Sequence, residues 1–238
     1  MNKLKAVIQF ECMTSFKYIW IFYGIQYAVV LLATLIVRVS VDNAEYIGVS
    51  GLETNTFIYV GILGMLGYSE DFKMLIQNGF TRRYIFIACV AMFGFISGCM
   101  ALVDTVVGNV LHYVLPGYQS IYGGLYGYEN ILLNWLWLLL LYMLLCSLFY
   151  LAVLVVNKAG KILSISLGVI IGSVGLLVMT RFALSDSAAN KVSVFLMKAF
   201  GFMPDGTINH FLPLLTMLLL TVAAGAGAYG VIRKTELK

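Results

Sequence analysis

Residues 131–156 read ILLNWLWLLLLYMLLCSLFYLAVLVV, without a single Asp, Glu, Lys or Arg. A helix of that length on a soluble protein must turn a polar face to water. This run has no such face, so lipid or other apolar helices must surround it. About 20 apolar residues in helical form cross a bilayer, and in lipid the helix satisfies every backbone group internally. The stretch is therefore a membrane span. Similar runs lie outward from it in both directions, at 18–37, 84–107, 162–180 and 211–232. A sixth is shorter. Its clean apolar part covers 56–68 and must draw in residues back to Val49, which brings Glu53 close to the outer interface.

Composition agrees with this reading. Of 238 residues 61% are hydrophobic and only 11% charged, against roughly 25% charged in soluble domains. The predicted fold is all-α, a polytopic membrane protein of six transmembrane helices forming one domain over 1–238. A net charge of +4 is too small to point to nucleic acid, and its information lies in its distribution. Alternating the six spans collects eleven Lys and Arg on one side: Lys3, Lys5, Lys17, Lys73, Arg82, Arg83, Lys158, Lys161, Arg233, Lys234 and Lys238. The other side holds four, Arg38, Arg181, Lys191 and Lys198. Positive loops stay in the cytoplasm, so both termini are expected there, in a multi-pass protein of the cell membrane. Omitting the short span would spoil the asymmetry.

Ahead of the first span, Leu4, Val7, Ile8 and Phe10 alternate with Lys3, Lys5, Glu11 and Lys17, a pattern that suits an amphipathic helix in the headgroup region. The apolar run that follows is too long for a signal peptide, whose core spans about 7–15 residues, and is expected to be retained. Cys12, Cys89, Cys99 and Cys146 show no CxxC spacing and read as packing thiols. Small residues recur at spacings that let helices approach closely: Gly61, Gly64 and Gly67; Gly94 and Gly98; Gly168, Gly172 and Gly175; Ala224, Gly225, Gly227 and Gly230.

The connection between spans two and three reads SEDFKMLIQNGFTRR over residues 69–83. It has the signals of a short helix. Ser69 can cap its start, Glu70 and Asp71 suit the positive end of its dipole, and Phe72, Leu75 and Ile76 share a face. Lys73, Met74 and Gln77 complete the turns, Asn78 and Gly79 end them, and Phe80 leads into Thr81, Arg82 and Arg83 at the start of the next span. Those arginines would sit at headgroup level, where lipid phosphate or an acidic partner can meet them.

This stretch, ahead of a span opening Tyr84, Ile85, Phe86, resembles the first cytoplasmic loop of ABC-transporter permeases of the type-2 exporter class from Gram-positive bacteria. The layout agrees over nearly the whole chain: an amphipathic amino-terminal helix, six spans with both ends inside, and a helical segment outside the membrane between spans five and six. The resemblance implies that residues Glu70 to Arg83 form a coupling helix docking on a cytoplasmic ATPase subunit. It also implies a second permease subunit, identical or related, and ATP with Mg bound by the ATPase rather than by this chain.

The segment between spans five and six fits by its own pattern. Val192, Phe195, Leu196, Ala199 and Phe200 fall on one helical face, with Lys191 and Lys198 on a more polar side. An amphipathic helix starting near Ser185 and Asp186 is expected to cap the bundle; its sharper role would be an outer gate. Gly201, Met203, Pro204, Asp205 and Gly206 turn the chain into span six. After span three come His112, Tyr113, Tyr118, Tyr122, Tyr126 and Tyr128. The tyrosines read as belt residues, and the two histidines, His112 and His210, lack the acidic or thiol company of a metal site.

Asp104 is the one carboxylate well inside an apolar stretch. It lies about 20 positions beyond Tyr84 and is read as a hydrated residue near the outer boundary, with a proton relay or substrate ligand as the alternative. No GxxxxGK[ST], HExxH or GxSxG motif occurs, so ATP hydrolysis and proteolysis are not expected of this chain. The resulting expectation is an ATP-driven exporter subunit for hydrophobic or amphipathic cargo such as antimicrobial peptides, toxins, drugs or lipids. Two rivals remain. An ion-coupled secondary transporter would need buried ionisable residues and usually a repeat, neither legible here; a membrane sensor or immunity protein needs only spans and loops.

Overall fold

The computed structural model describes residues 3–40, 50–69, 75–77, 79–115, 117–160, 166, 173 and 194–233. Six helices are named: α1 (Lys3–Ser40), α2 (Glu53–Ser69), α3 (Arg82–Val114), α4 (Ile121–Tyr126), α5 (Ile131–Ala159) and α6 (Phe211–Arg233). Among the described residues four stretches, Leu4–Ile36, Arg82–Val114, Ile131–Ala159 and Phe211–Arg233, are long and apolar enough to cross a membrane, as in a helical membrane protein. The span expected over 162–180 and the amphipathic start at Ser185 and Asp186 fall outside the described residues, apart from Ser166 and Ser173. α2 has 17 residues, at the lower limit for a span.

α5 is the axis of the bundle, as a helix apolar on every side should be. It packs against α2, α3 and α6, with Leu138, Tyr142, Cys146, Tyr150 and Leu154 fully enclosed. The glycine spacing of α2 makes the closest approach. A Cβ on Gly64 would stand 2.6 Å from the carbonyl oxygen of Cys146, and one on Gly61 would stand 2.9 Å from the Phe149 ring. Gly67 lies under the Phe93 ring in the same way. Small residues thus bring these two backbones together, as their spacing predicts. The stripe Gly168, Gly172 and Gly175 lies outside the described residues, and those of α3 and α6 are looser, with Gly227 in ordinary contact with Leu151. A Cβ on Gly94, Gly225 or Gly230 would meet nothing within 4 Å.

Two thiols take part in this contact, Cys146 Sγ donating to the Val60 carbonyl and Cys89 Sγ to that of Gly67, each at 3.6 Å. α1 runs without interruption from Lys3 to Ser40, so the expected interfacial segment and the first span are one helix. It crosses α3, where Ile19 and Tyr23 are buried and the Tyr23 hydroxyl donates to the Met100 carbonyl at 3.1 Å.

The bundle has two distinct ends. At one, Arg82 Nη1 donates to the Arg233 carbonyl at 2.9 Å, tying the start of α3 to the last turn of α6. At the other, the connections between α1 and α2 and between α3 and α5 meet, with Gly51 N–H donating to the Gln119 carbonyl at 2.9 Å.

Candidate functional site

Three places carry the residues singled out in the sequence. The first is the connection between α2 and α3. Ser69 is the last residue of α2, and the helix start it was expected to cap lies outside the described residues. Glu70, Asp71, Phe72, Lys73, Met74 and Asn78 lie outside the described residues. Leu75, Ile76 and Gln77 form a helical turn; Leu75 is buried and Gln77 exposed. The turn ends as Asn78-Gly79 foretold. Gly79 has φ +77°, its N–H donates to the Ile76 carbonyl, and Phe80 N–H reaches back to that of Leu75. These paired bonds use up the free carbonyls of a helix end, and glycine adopts the left-handed geometry without strain. Thr81 precedes α3 in extended conformation, and Arg82 and Arg83 open that helix. Arg82 gives one N–H to the Arg233 carbonyl and keeps its remaining donors and its charge for a phosphate or an acidic group.

The second place is the cap at the opposite end. Ser120 starts α4, its Oγ accepting from Gly123 N–H at 3.0 Å, while its own N–H donates to the Tyr128 hydroxyl at 2.8 Å. Tyr118, Tyr122 and Tyr126 are buried, contrary to their reading as belt residues; Tyr113 alone among the five is largely exposed. The reason is packing. Tyr122 and Tyr126 close edge-on over Trp137 of α5, Tyr126 stacks on Phe202, and its hydroxyl donates to the Phe200 carbonyl at 2.7 Å. Burial raises the pKa of all three phenols, Tyr122 to about 12, so the cap carries no phenolate at neutral pH.

A polar pocket of about 310 Å³ opens beside the cap, lined by Tyr122, Tyr126, Gly127, Glu129, Asn130, Leu133 and His210. Of the segment expected to act as an outer gate, Val192 is outside the described residues. Residues 194–199 are helical and end at Phe200 and Gly201. Phe195, Leu196 and Phe200 are exposed, and the Ala199 carbonyl accepts from Thr216 Oγ1 of α6 at 2.8 Å. Gly201, at φ +87°, is pressed against the Asn209 carbonyl, where no side chain would fit.

The third place is Asp104, where the expectation of a hydrated residue fails. α3 continues ten residues beyond it to Val114, roughly 15 Å of helix, and Asp104 is only 4% exposed. Its Oδ2 accepts from the Tyr142 hydroxyl at 2.5 Å. Glu53, expected near the interface, is 2% exposed and lies against α3 at Gly108, one turn from Asp104. Buried ionisable residues are therefore present after all.

Sequence reasoning missed the environment of these groups, although the signal was there. Ser97, Asp104, Thr105, Gly108 and Asn109 form a polar stripe on α3 at helical spacing, and Ser97, Asp104, Thr105 and Asn109 are buried side chains. Comparison of the chain with protein families, with curated proteins and with solved structures finds no match. The functional reading rests on the chain itself.

Proposed function

We propose that this chain is the transmembrane subunit of an ATP-driven exporter of the type-2 ABC class, with six spans and both termini in the cytoplasm of a cell-membrane protein. The observation that carries the reading is the α2–α3 connection: a capped helical turn at Leu75–Gln77, closed by Gly79 and joined directly to a spanning helix. A rigid turn set against a helix start transmits a push, whereas a slack loop would absorb it. The Arg82–Arg233 bond supports the assignment of that end to the cytoplasm, since it places two of the eleven counted cations together. In this reading the segment from Glu70 to Arg83 receives the movement of a separate nucleotide-binding ATPase. A second permease subunit completes the path, and helix packings exchange with nucleotide state. Cargo would be hydrophobic or amphipathic.

The test is co-purification. Gln77 is exposed, so Q77E and Q77K place a charge of either sign on the expected docking surface without disturbing buried packing. An ATPase recovered stoichiometrically with the unaltered protein and lost with these variants is the expected result. Labelling of a cysteine placed at Gln77 by an impermeant reagent in intact cells would put the loop outside and end the proposal.

A further inference from the structure

Glu53 and Asp104 are both buried where α1, α2, α3 and α5 come together. On α3, positions 104 and 108 are one turn apart on the same face, about 5–6 Å between side-chain origins. Glu53 Oε1 lies 3.4 Å from where a Gly108 Cβ would stand, so glycine makes the space that the carboxylate fills. The two acids therefore face a common volume. Their hydrogen bonding is unequal. Asp104 accepts from Tyr142, which is itself fully buried, whereas Glu53 Oε2 has no donor. Thr56, one turn along α2 from Glu53 and with no exposed surface, turns its hydroxyl toward Asp104 without completing a well-formed hydrogen bond.

The groups facing the pair are phenols: Tyr23 and Tyr27 from α1, Tyr118 from the connection above, and Tyr142 from α5. His112 follows two turns beyond Asp104 on α3, but its Nδ1 lies 3.2 Å from the Tyr118 carbonyl and its ring stacks on Tyr128. Among the described residues no Lys or Arg pairs with either carboxylate.

Two adjacent anions without a counter-charge are not tolerated in a low-dielectric interior. At least one of them must be neutralised, by a proton or by a bound cation. The ring of carboxylate and hydroxyl oxygens suits a hard ion and offers no soft ligand. We propose that Glu53, Thr56 and Asp104 form a binding site for one monovalent cation, H⁺ or Na⁺, within the bundle. Asp104, supplied with a donor by Tyr142, holds the negative charge; Glu53, with a bare oxygen, takes up the ion. Occupancy ties α2 to α3, and release leaves their facing ends repelling each other. The proposal does not rest on the exporter reading and holds for any energy source.

The experiment uses the full chain in lipid nanodiscs. Thermal unfolding is followed by tryptophan fluorescence while NaCl replaces choline chloride at constant ionic strength, and separately between about pH 8 and about pH 5 without sodium. A saturable rise in Tm with sodium identifies Na⁺; a rise only on acidification identifies H⁺. E53Q, which keeps the shape and removes the charge, is expected to abolish that response, and T56V to weaken the apparent affinity at least threefold. Calorimetric titration of the unaltered protein in two buffers of different ionisation enthalpy reads bound sodium and displaced protons without any variant. No Tm response and no binding heat, or a response unchanged in E53Q, would overturn the site.

Discussion

The same three helices, α2, α3 and α5, enclose two unlike interiors. Toward the Arg82 end they bury Val60, Cys89, Phe93, Tyr150 and Leu154, and the backbones of α2 and α5 touch at Gly64. A few turns away they bury Glu53, Thr56, Asp104 and Asn109 beneath a lid of tyrosines. Close-packed side chains fill the first region, and its thiols and the Tyr150 hydroxyl find partners. The second leaves polar atoms without partners, among them Glu53 Oε2 and Thr105 Oγ1. Unsatisfied groups of that kind each cost about 1–3 kcal/mol. The contrast separates the part of the bundle that secures the fold from the part that sacrifices stability for something else.

The strongest way to break this division is G64L. The atoms in its way belong to the backbone of Cys146, which cannot swing aside, so the loss is expected at the upper end of the overpacking range, about 3 kcal/mol. Thermal or denaturant unfolding in detergent measures it, and a variant as stable as its parent would show that α2 and α5 do not meet in this way. Y142F probes the other interior. It removes the donor to Asp104 with little change of volume and is expected to cost about 2 kcal/mol; no loss would show that this bond does not hold the carboxylate in place.

A smaller effect is expected of R82Q, which loosens the end of α6. The bond is exposed, so the loss should stay at about 0.5–1 kcal/mol and appear first as faster amide exchange near Arg233. The smallest belongs to D205N in the turn before α6. Bonds from the Thr207 hydroxyl and N–H hold the Asp205 carboxyl below its ordinary value of 3.8. A depressed pKa stabilises the folded turn above the ordinary value, and that contribution disappears as pH falls through the lowered one. The parent and D205N should therefore differ at neutral pH and converge in acid; a gap that persists there would assign the effect to something other than this charge.

Much of the bundle was legible before any coordinates. The runs 84–107, 131–156 and 211–232 correspond to α3, α5 and α6, each extended by flanking residues that hydropathy does not score. The Gly61, Gly64, Gly67 spacing foretold a close helix contact, and Asn78-Gly79 foretold a helix end. Asp104 and Glu53 were misplaced because position along a span gives depth, while burial depends on which way the residue faces around the axis. That direction is set by neighbours distant in sequence, Tyr142 for one and Gly108 for the other. The tyrosines failed for a related reason. A composition rule places aromatics at an interface, but Trp137 and Phe202 drew Tyr126 inward.

One consequence follows from the unbroken 38 residues of α1. At 1.5 Å per residue the rod measures about 57 Å, nearly twice the roughly 30 Å of bilayer hydrocarbon. Beyond its contacts with α3, it carries bare Val29, Leu32, Leu35 and Ile36. Such an outrigger leans according to the thickness of the sheet it crosses, steeper where acyl chains are long and flatter where they are short. Tyr23 hangs it from Met100, a single turn from Asp104, so the rod's lean is anchored beside the buried carboxylate.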